Sequence, residues 1–429
     1  MAQLKVVFFA LRNVFFDDRK NPKRFELSLT ERLVKLIQFL GERDIKVIFH
    51  TNDLWYMGEE KKPLNIFLEE ISGYKIGYYN SEHYPLMPRK PLKGSIPYIL
   101  EQEGLELNEA IYICGNDDDW QACINAKVLC IKANWIKASS EIKYGIAFDD
   151  MTTLARFIDI FCIKANKEDL YFYQDARLTY YTLSPFSTLK PALKLYSESA
   201  KSTAKQLGSK IEPSFWLMLL ISKMYFSGIY KNLDAIVVFP GHQIGSGNAV
   251  MNDDLDTFSK CFRIKYLINS LIRHTQSLKS QNARLQGNGG ALNIYNHLNT
   301  LYINRKPNTY NAARARVSNY SYKDKNILLI DDFVTEGYSL DAAKLLLEAT
   351  GAKVICMSWL KTINTSIKIS RNPLPKNYPI YSIVNNAQSL FPSPAPYTIC
   401  YTDIIHDKYT AGTSLAQLYD DFCEWNFKI

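Results

Sequence analysis

Between Ile327 and Leu340 the chain reads ILLIDDFVTEGYSL, in which four apolar residues lead into two adjacent carboxylates, Asp331 and Asp332. Thr335, Glu336, Gly337, Tyr338 and Ser339 follow, and then an apolar helical pattern begins. Paired carboxylates suit a cation or the hydroxyls of a sugar better than an unaccompanied phosphate. A Thr/Gly/Ser turn that enters a helix instead offers hydroxyls and unpaired backbone N–H groups to an anion. Gly337 removes a side chain where the backbone must approach a phosphate or take a positive φ. A diol grip at one end and a phosphate cradle at the other describe a ribose 5-phosphate. If the backbone is extended at the acidic pair, the two side chains diverge, so that one faces the ligand while the other supports the loop.

The elements that must position these residues are legible in the hydrophobic pattern. Ile327 to Ile330 reads as a buried strand, residues 340–349 as a helix, and GAKVICMSWL, led by Gly351, as the next strand. Strand, loop, helix and strand make a βαβ unit whose crossover is right-handed, which puts the 331–339 loop at the carboxyl edge of a parallel sheet, where open α/β sheets bind ligands. LDAIVVFPGH supplies an earlier strand ending at Pro240 and Gly241, and SFWLMLLISKMYF a buried helix before it. In LIRHTQSLKSQNARLQGNGG, residues 271–290, Arg273 and Arg284 can clamp a polyanion, and Gly287, Gly289 and Gly290 permit loop closure.

A chain of 429 residues exceeds the size at which single cores stop growing, so two domains are expected. Apolar residues make up 47% and charged residues 22%, with no apolar run long enough to span a membrane, which predicts a cytoplasmic protein. Residues 1–150 hold 20 Lys/Arg against 22 Asp/Glu, whereas 260–325 hold 12 basic residues and a single acid, Asp324. That concentration predicts an anionic partner, either a phosphorylated metabolite or nucleic acid. The eight cysteines are scattered with no CxxC pair, and the six histidines show no ligand spacing, so neither type argues for a structural zinc.

The N-terminal 150 residues alternate strand patterns (Leu4 to Phe9, KVIFHTND, EAIYICGNDDDW, VLCIKANW) with a helix carrying Leu29, Leu33, Leu36 and Leu40. This stretch resembles the haloacid dehalogenase-like (HAD) hydrolases, whose Asp-x-Asp nucleophile and acid/base positions fall here on Ala10 and Arg12. Alanine cannot attack phosphorus and arginine cannot exchange a proton near neutrality. Thr51 matches the family's phosphate-holding residue, Lys90 or Lys93 its lysine, Gly115 is kept, Asn116 replaces an aspartate, and Asp119 stands as a metal ligand. The expectation is a catalytically inactive HAD-like domain. Residues 151–210 read as a connecting helical region.

ILLIDDFVTEGYS resembles the signature of the type I phosphoribosyltransferases, with Glu336 departing from the usual threonine or glycine. The resemblance implies an α/β fold for residues 211–429 and the transfer of ribose 5-phosphate from phosphoribosyl pyrophosphate (PRPP) to an acceptor, with release of pyrophosphate. Asp331 and Asp332 would hold the ribose hydroxyls and Mg2+, and Pro240, Gly241 and residues 335–339 the phosphates. The family's early loop often carries a strained or cis peptide. Homodimerisation is common in this fold family, and such fusions occur in bacterial stress and phage-defence gene neighbourhoods. Tyr381, Asn385 and Asn386 are acceptor-site candidates, and His242 or His274 could move a proton. The competing reading is a non-catalytic regulator that senses PRPP or a nucleotide and binds a protein partner or nucleic acid, the latter through Arg305, Lys306, Arg314 and Arg316.

Overall fold

The computed structural model describes residues 1–16, 27–57, 61–136, 145–167, 170–205, 213–244, 249–277, 293–309, 320–391, 397–400 and 408–429. Two α/β domains each surround a core parallel sheet. The first sheet has six strands in the order Ile76–Tyr79, Lys46–His50, Val6–Phe9, Ala110–Cys114, Leu129–Ala133 and Ile146–Phe148, all paired in parallel. Its strands are buried on both faces, as near-continuous apolar runs require.

The second sheet has seven strands, ordered Asn308–Thr309, Lys265–Ile268, Ala235–Val238, Asn326–Val334, Lys353–Thr362, Thr179–Phe186 and Tyr171–Gln174. The central five are parallel and each edge strand is antiparallel to its neighbour. The last two belong to the stretch expected to be a helical connection. There, a helix from Met151 that passes into a π-helical segment ending at Lys164 precedes the strands, and the Pro191–Lys205 helix follows them.

Strand alternation divides the second sheet between two cores. Leu328 and Ile330 pack into the core shared with the first domain, and Ile327 and Leu329 into the core on the opposite face, beneath the Tyr338–Glu348 helix. The Pro213–Phe226 helix joins the domains. Asn108 donates through its side chain to Phe226 O at 3.0 Å, and Tyr225 Oη donates to Leu107 O and Ala110 O, each at 2.7 Å. The C-terminal Lys408–Cys423 helix returns to the first domain's side, where Lys164 pairs with Asp421 at 2.7 Å. Among the described residues no helix is long and apolar enough to cross a membrane.

Candidate functional site

The acidic pair lies inside a strand rather than after it. Asn326–Val334 runs four residues beyond Ile330, because pairing with Lys353–Thr362 continues through Asp331↔Ser358 and Phe333↔Leu360 to Val334↔Lys361. The turn is therefore only Thr335 to Gly337, and the helix begins at Tyr338. Asp331 shares the face of Ile327 and Leu329, beneath the helix; strict alternation breaks at the pair, since Phe333 packs with the Leu328 and Ile330 core and Val334 with that of Ile327 and Leu329, and the Asp332 carboxylate lies close to that of Asp331. Asp331 is 8% exposed and Asp332 is half-buried.

Two groups orient Asp331. Ser339, in the first turn of the helix, donates its hydroxyl to Asp331 Oδ2 at 3.1 Å, and Asp332 N donates to Asp331 Oδ1 at 2.9 Å. Burial, then the Asp332 carboxylate, push the Asp331 carboxyl well above the usual carboxylate range. Two hard oxygen donors whose charges repel are relieved by a cation, so this pair fits a divalent ion such as Mg2+.

The turn is clamped from outside. Thr365 Oγ1 donates to Thr335 O at 3.0 Å and Lys368 N donates to Glu336 O at 2.8 Å. Across a trans peptide the N–H opposes the C=O, so the amides of Glu336 and Gly337 point away from the 362–368 segment. Gly337 has a φ of +79°, and an added Cβ would lie 2.8 Å from Ile367 Cγ2. It caps the following helix without a side-chain hydrogen bond. Glu336, the departure from the expected signature, is neutralised by Lys368 Nζ at 2.7 Å, and that ammonium lies 5.6 Å from the centre of the Tyr338 ring.

Pro240 and Gly241 follow the Ala235–Val238 strand, and Phe239 N donates to Ile330 O at 2.8 Å, so their loop starts beside the acidic pair. Neither Pro240 nor Gly241 follows a cis peptide. Among the described residues the one cis bond is Lys90–Pro91. Arg273 lies in a short strand, Leu271–Arg273, paired with Leu301–Ile303, and is 3% exposed rather than on a mobile loop. Its Nε donates to Gly241 O, its Nη1 donates to Thr300 Oγ1 at 2.6 Å, and its Nη2 is buried without a hydrogen-bond partner. Burial pulls the Arg273 pKa down to about 10 while the Asp331 carboxylate acts against that fall, which places the two in electrostatic reach. Arg284 lies outside the described residues, as do Gly287, Gly289, Gly290, Arg314 and Arg316.

Sequence reasoning missed several neighbours. Thr300 and His297 come from the 295–300 segment, and burial, then Arg273, hold the His297 imidazole neutral with a pKa of about 3. Tyr180 and Ser358 share a 2.6 Å hydrogen bond beside Asp331, and Ser358 donates to Thr182 Oγ1 at 3.2 Å. No motif points to them, because the sheet's register brings Thr179–Phe186 alongside. Of the acceptor candidates, Tyr381 lies under the Arg305 guanidinium at 4.2 Å, while Asn385 and Asn386 are exposed. Asn386 caps the short 387–390 helix, with its side chain accepting from Ser389 N.

In the first domain a cavity of about 70 Å³ is lined by Arg12, Thr51, Asn52, Lys90, Asn116 and Asp119, among others. Both of its cations already have carboxylate partners. Lys90 Nζ lies 2.5 Å from Asp119 Oδ1, with side chains 7% and 0% exposed, and Arg12 lies 3.2 Å from Asp53. Of the two lysines left open by spacing, Lys90 is thus the one in this cavity. Asp119 also accepts from Gly115 N and Asn116 N in a capping box, so this helix N-terminus is closed by its own side chains, in contrast to the uncapped one at Gly337.

No family model and no curated protein matches the chain. Among solved structures it is similar to one from Lactobacillus delbrueckii subsp. bulgaricus provisionally named a phosphoglycolate phosphatase, at 16% identity over 31% of this chain and 59% of that one, with a TM-score of 0.24. Adenine phosphoribosyltransferase from Leishmania donovani is similar at 11% identity over 44% of this chain and 86% of that one, TM-score 0.22. UMP synthase from the same organism is similar at 10% identity over 84% and 86%, TM-score 0.20. Likenesses this distant carry no argument about what the chain does.

Proposed function

We propose that the second domain is a phosphoribosyltransferase that takes ribose 5-phosphate from PRPP to an acceptor, and that the first domain is a catalytically inactive HAD-like partner. The observation that carries this reading is the convergence of three groups. Asp331 is buried and tied to Ser339, the uncapped turn at Gly337 opens a helix N-terminus, and the buried Arg273 points an unpartnered Nη2 from a position in electrostatic reach of Asp331. A sugar diol, a 5-phosphate and a pyrophosphate are the complements of these three.

Asp331 and Asp332 are the residues that would hold Mg2+, which neutralises charge on the leaving pyrophosphate when bound. The amides of residues 336 and 337 orient the 5-phosphate, while Ser339, whose one hydroxyl proton goes to Asp331, holds the carboxylate beside them. Arg273 and the Gly241 backbone receive the pyrophosphate in a site walled by Phe239. Preorganised charge of this kind stabilises an oxocarbenium-like transition state without a protein nucleophile. In the first domain, Ala10 leaves no nucleophile and the Lys90–Asp119 pair leaves no uncompensated cation for a phosphate.

The test is consumption of isotope-labelled PRPP against a metabolite extract, with mass spectrometry of the products. A labelled ribosyl phosphate adduct and stoichiometric pyrophosphate support the reading and name the acceptor. PRPP that binds and is returned intact by every extract favours the regulatory reading instead.

A further inference from the structure

Three of the eight cysteines meet in the core of the first domain, away from the site above. Cys114 ends the Ala110–Cys114 strand, Cys130 lies on the neighbouring Leu129–Ala133 strand, and Cys123 hangs from the Asp117–Ala126 helix that covers both. All three are 0% exposed. Their sulfurs lie within 4.8 Å of one another, with Cys114 Sγ 3.4 Å from Cys123 Sγ and 3.1 Å from Cys130 Sγ. Sequence spacing hid this, because eight and then six residues intervene between the three and no CxxC-like ligand pattern uses those gaps. Cys162 and Cys356, also buried, meet no such group among the described residues and behave as small apolar residues.

We infer that Cys114, Cys123 and Cys130 form a buried three-thiolate site for a soft d10 cation, Zn2+ or Cu+. Three thiolates on one ion with bonds near 2.3 Å stand about 3.8 Å apart, so Cys114 Sγ need draw away from Cys123 Sγ and Cys130 Sγ by about 0.4 and 0.7 Å, shifts within reach of side-chain rotation. Soft sulfur donors with no carboxylate or imidazole among them select these ions over Mg2+ or Ca2+. Binding would release the protons that the thiols carry and leave an anionic centre, which Lys132 lies near enough to Cys130 to offset.

The surrounding chain is shaped to this point. A Cβ on Gly145, whose φ is +119°, would lie 3.0 Å from Cys130 Sγ, so only glycine permits that approach. On the far side, Cys261, the last residue of the Ala249–Cys261 helix of the second domain, lies buried within electrostatic reach of Cys130. A cation held by the three sulfurs would therefore fix the strand against which the second domain's helix end rests.

The experiment uses the full chain, purified under reducing conditions, loaded separately with Zn2+ or Cu+ and passed through gel filtration before elemental analysis. The expected result is about one equivalent of one of the two ions per chain. Replacing Zn2+ by Co2+ is expected to give intense near-ultraviolet sulfur-to-cobalt charge transfer. Cys114→Ser, Cys123→Ser and Cys130→Ser should each reduce retention by roughly tenfold or more, and Cys162→Ser should leave it unchanged. If the cluster variants do not fold, stepwise mercurial titration of the wild-type thiols should release the ion in proportion to the sulfurs blocked. Retention below about a tenth of an equivalent for both ions, equal loss in Cys162→Ser, or a disulfide joining two of the three cysteines in the reduced preparation would overturn the inference.

Discussion

Arg273 separates a binding role from a structural one. It is 3% exposed and donates to Gly241 O and Thr300 Oγ1, yet keeps Nη2 unpartnered. In the ligand-free chain Arg273→Met removes two charge-assisted hydrogen bonds worth roughly 1.5–3 kcal/mol each, but it also removes the several kcal/mol that burying a cation costs. The terms oppose each other, so the stability of the variant should lie within about 2 kcal/mol of wild type. Binding is not compensated in this way. Truncating one partner of a buried charge pair costs roughly 2–5 kcal/mol, a loss of about 30-fold to several thousand-fold in pyrophosphate affinity. Arg273→Lys keeps a charge without the planar fork and should fall between. Calorimetric titration of inorganic pyrophosphate with Mg2+ present, beside urea denaturation of each variant, reads both quantities. Unchanged pyrophosphate affinity in Arg273→Met together with a large loss of stability would refute the binding role and make Arg273 a strut between Gly241 and Thr300.

Three further expectations concern other parts of the chain. Lys90→Met leaves Asp119 buried and uncompensated, so it should destabilise the protein by about 3–5 kcal/mol without changing PRPP affinity, as thermal melts with and without ligand would reveal. Burial holds the Asp341 carboxyl protonated to about pH 7 in the folded chain, whereas it ionises near pH 4 when unfolded. The folded state therefore binds more protons between those values, stability falls as pH rises through that window, and Asp341→Asn should flatten the slope in urea titrations at pH 4.5 and 7.5. An unaltered slope would place the proton elsewhere. Gly337→Ala meets both a φ of +79° and the Ile367 side chain, so it should cost roughly 1–3 kcal/mol and weaken ligand binding, whereas a neutral substitution would mean that the turn is not held in this conformation.

How far the sequence discloses this arrangement depends on the range over which each cause acts. The strands at Val6–Phe9, Ala235–Val238 and Asn326–Val334 are written in local apolar runs, and the helix entry at Gly337 in local turn chemistry, so both are legible. The length of the strand through Asp331 and Asp332 is not, because cross-strand pairing with Ser358 to Lys361 sets it rather than the acidic residues themselves. The same holds for Thr179–Phe186, whose aromatic-rich pattern gives no sign that it pairs with Lys353–Thr362 from far away in the chain. Arg273 reads as a loop cation by its basic neighbours and Gly-rich sequel, while its burial follows from pairing with Leu301–Ile303. The three-sulfur cluster depends on the placement of one helix over two strands, which residue spacing does not encode.

In the proposed reaction the acidic pair grips the ribose while the turn beside it holds the phosphate. The most direct measurement of that grip is a calorimetric titration of PRPP with Mg2+ into the wild-type chain and into the double variant Asp331→Asn, Asp332→Asn. Binding should be saturable and magnesium-dependent in the wild type, and the double variant should lose it while keeping the wild-type circular dichroism spectrum. Equal binding by both proteins, or none by the folded wild type, would contradict that grip.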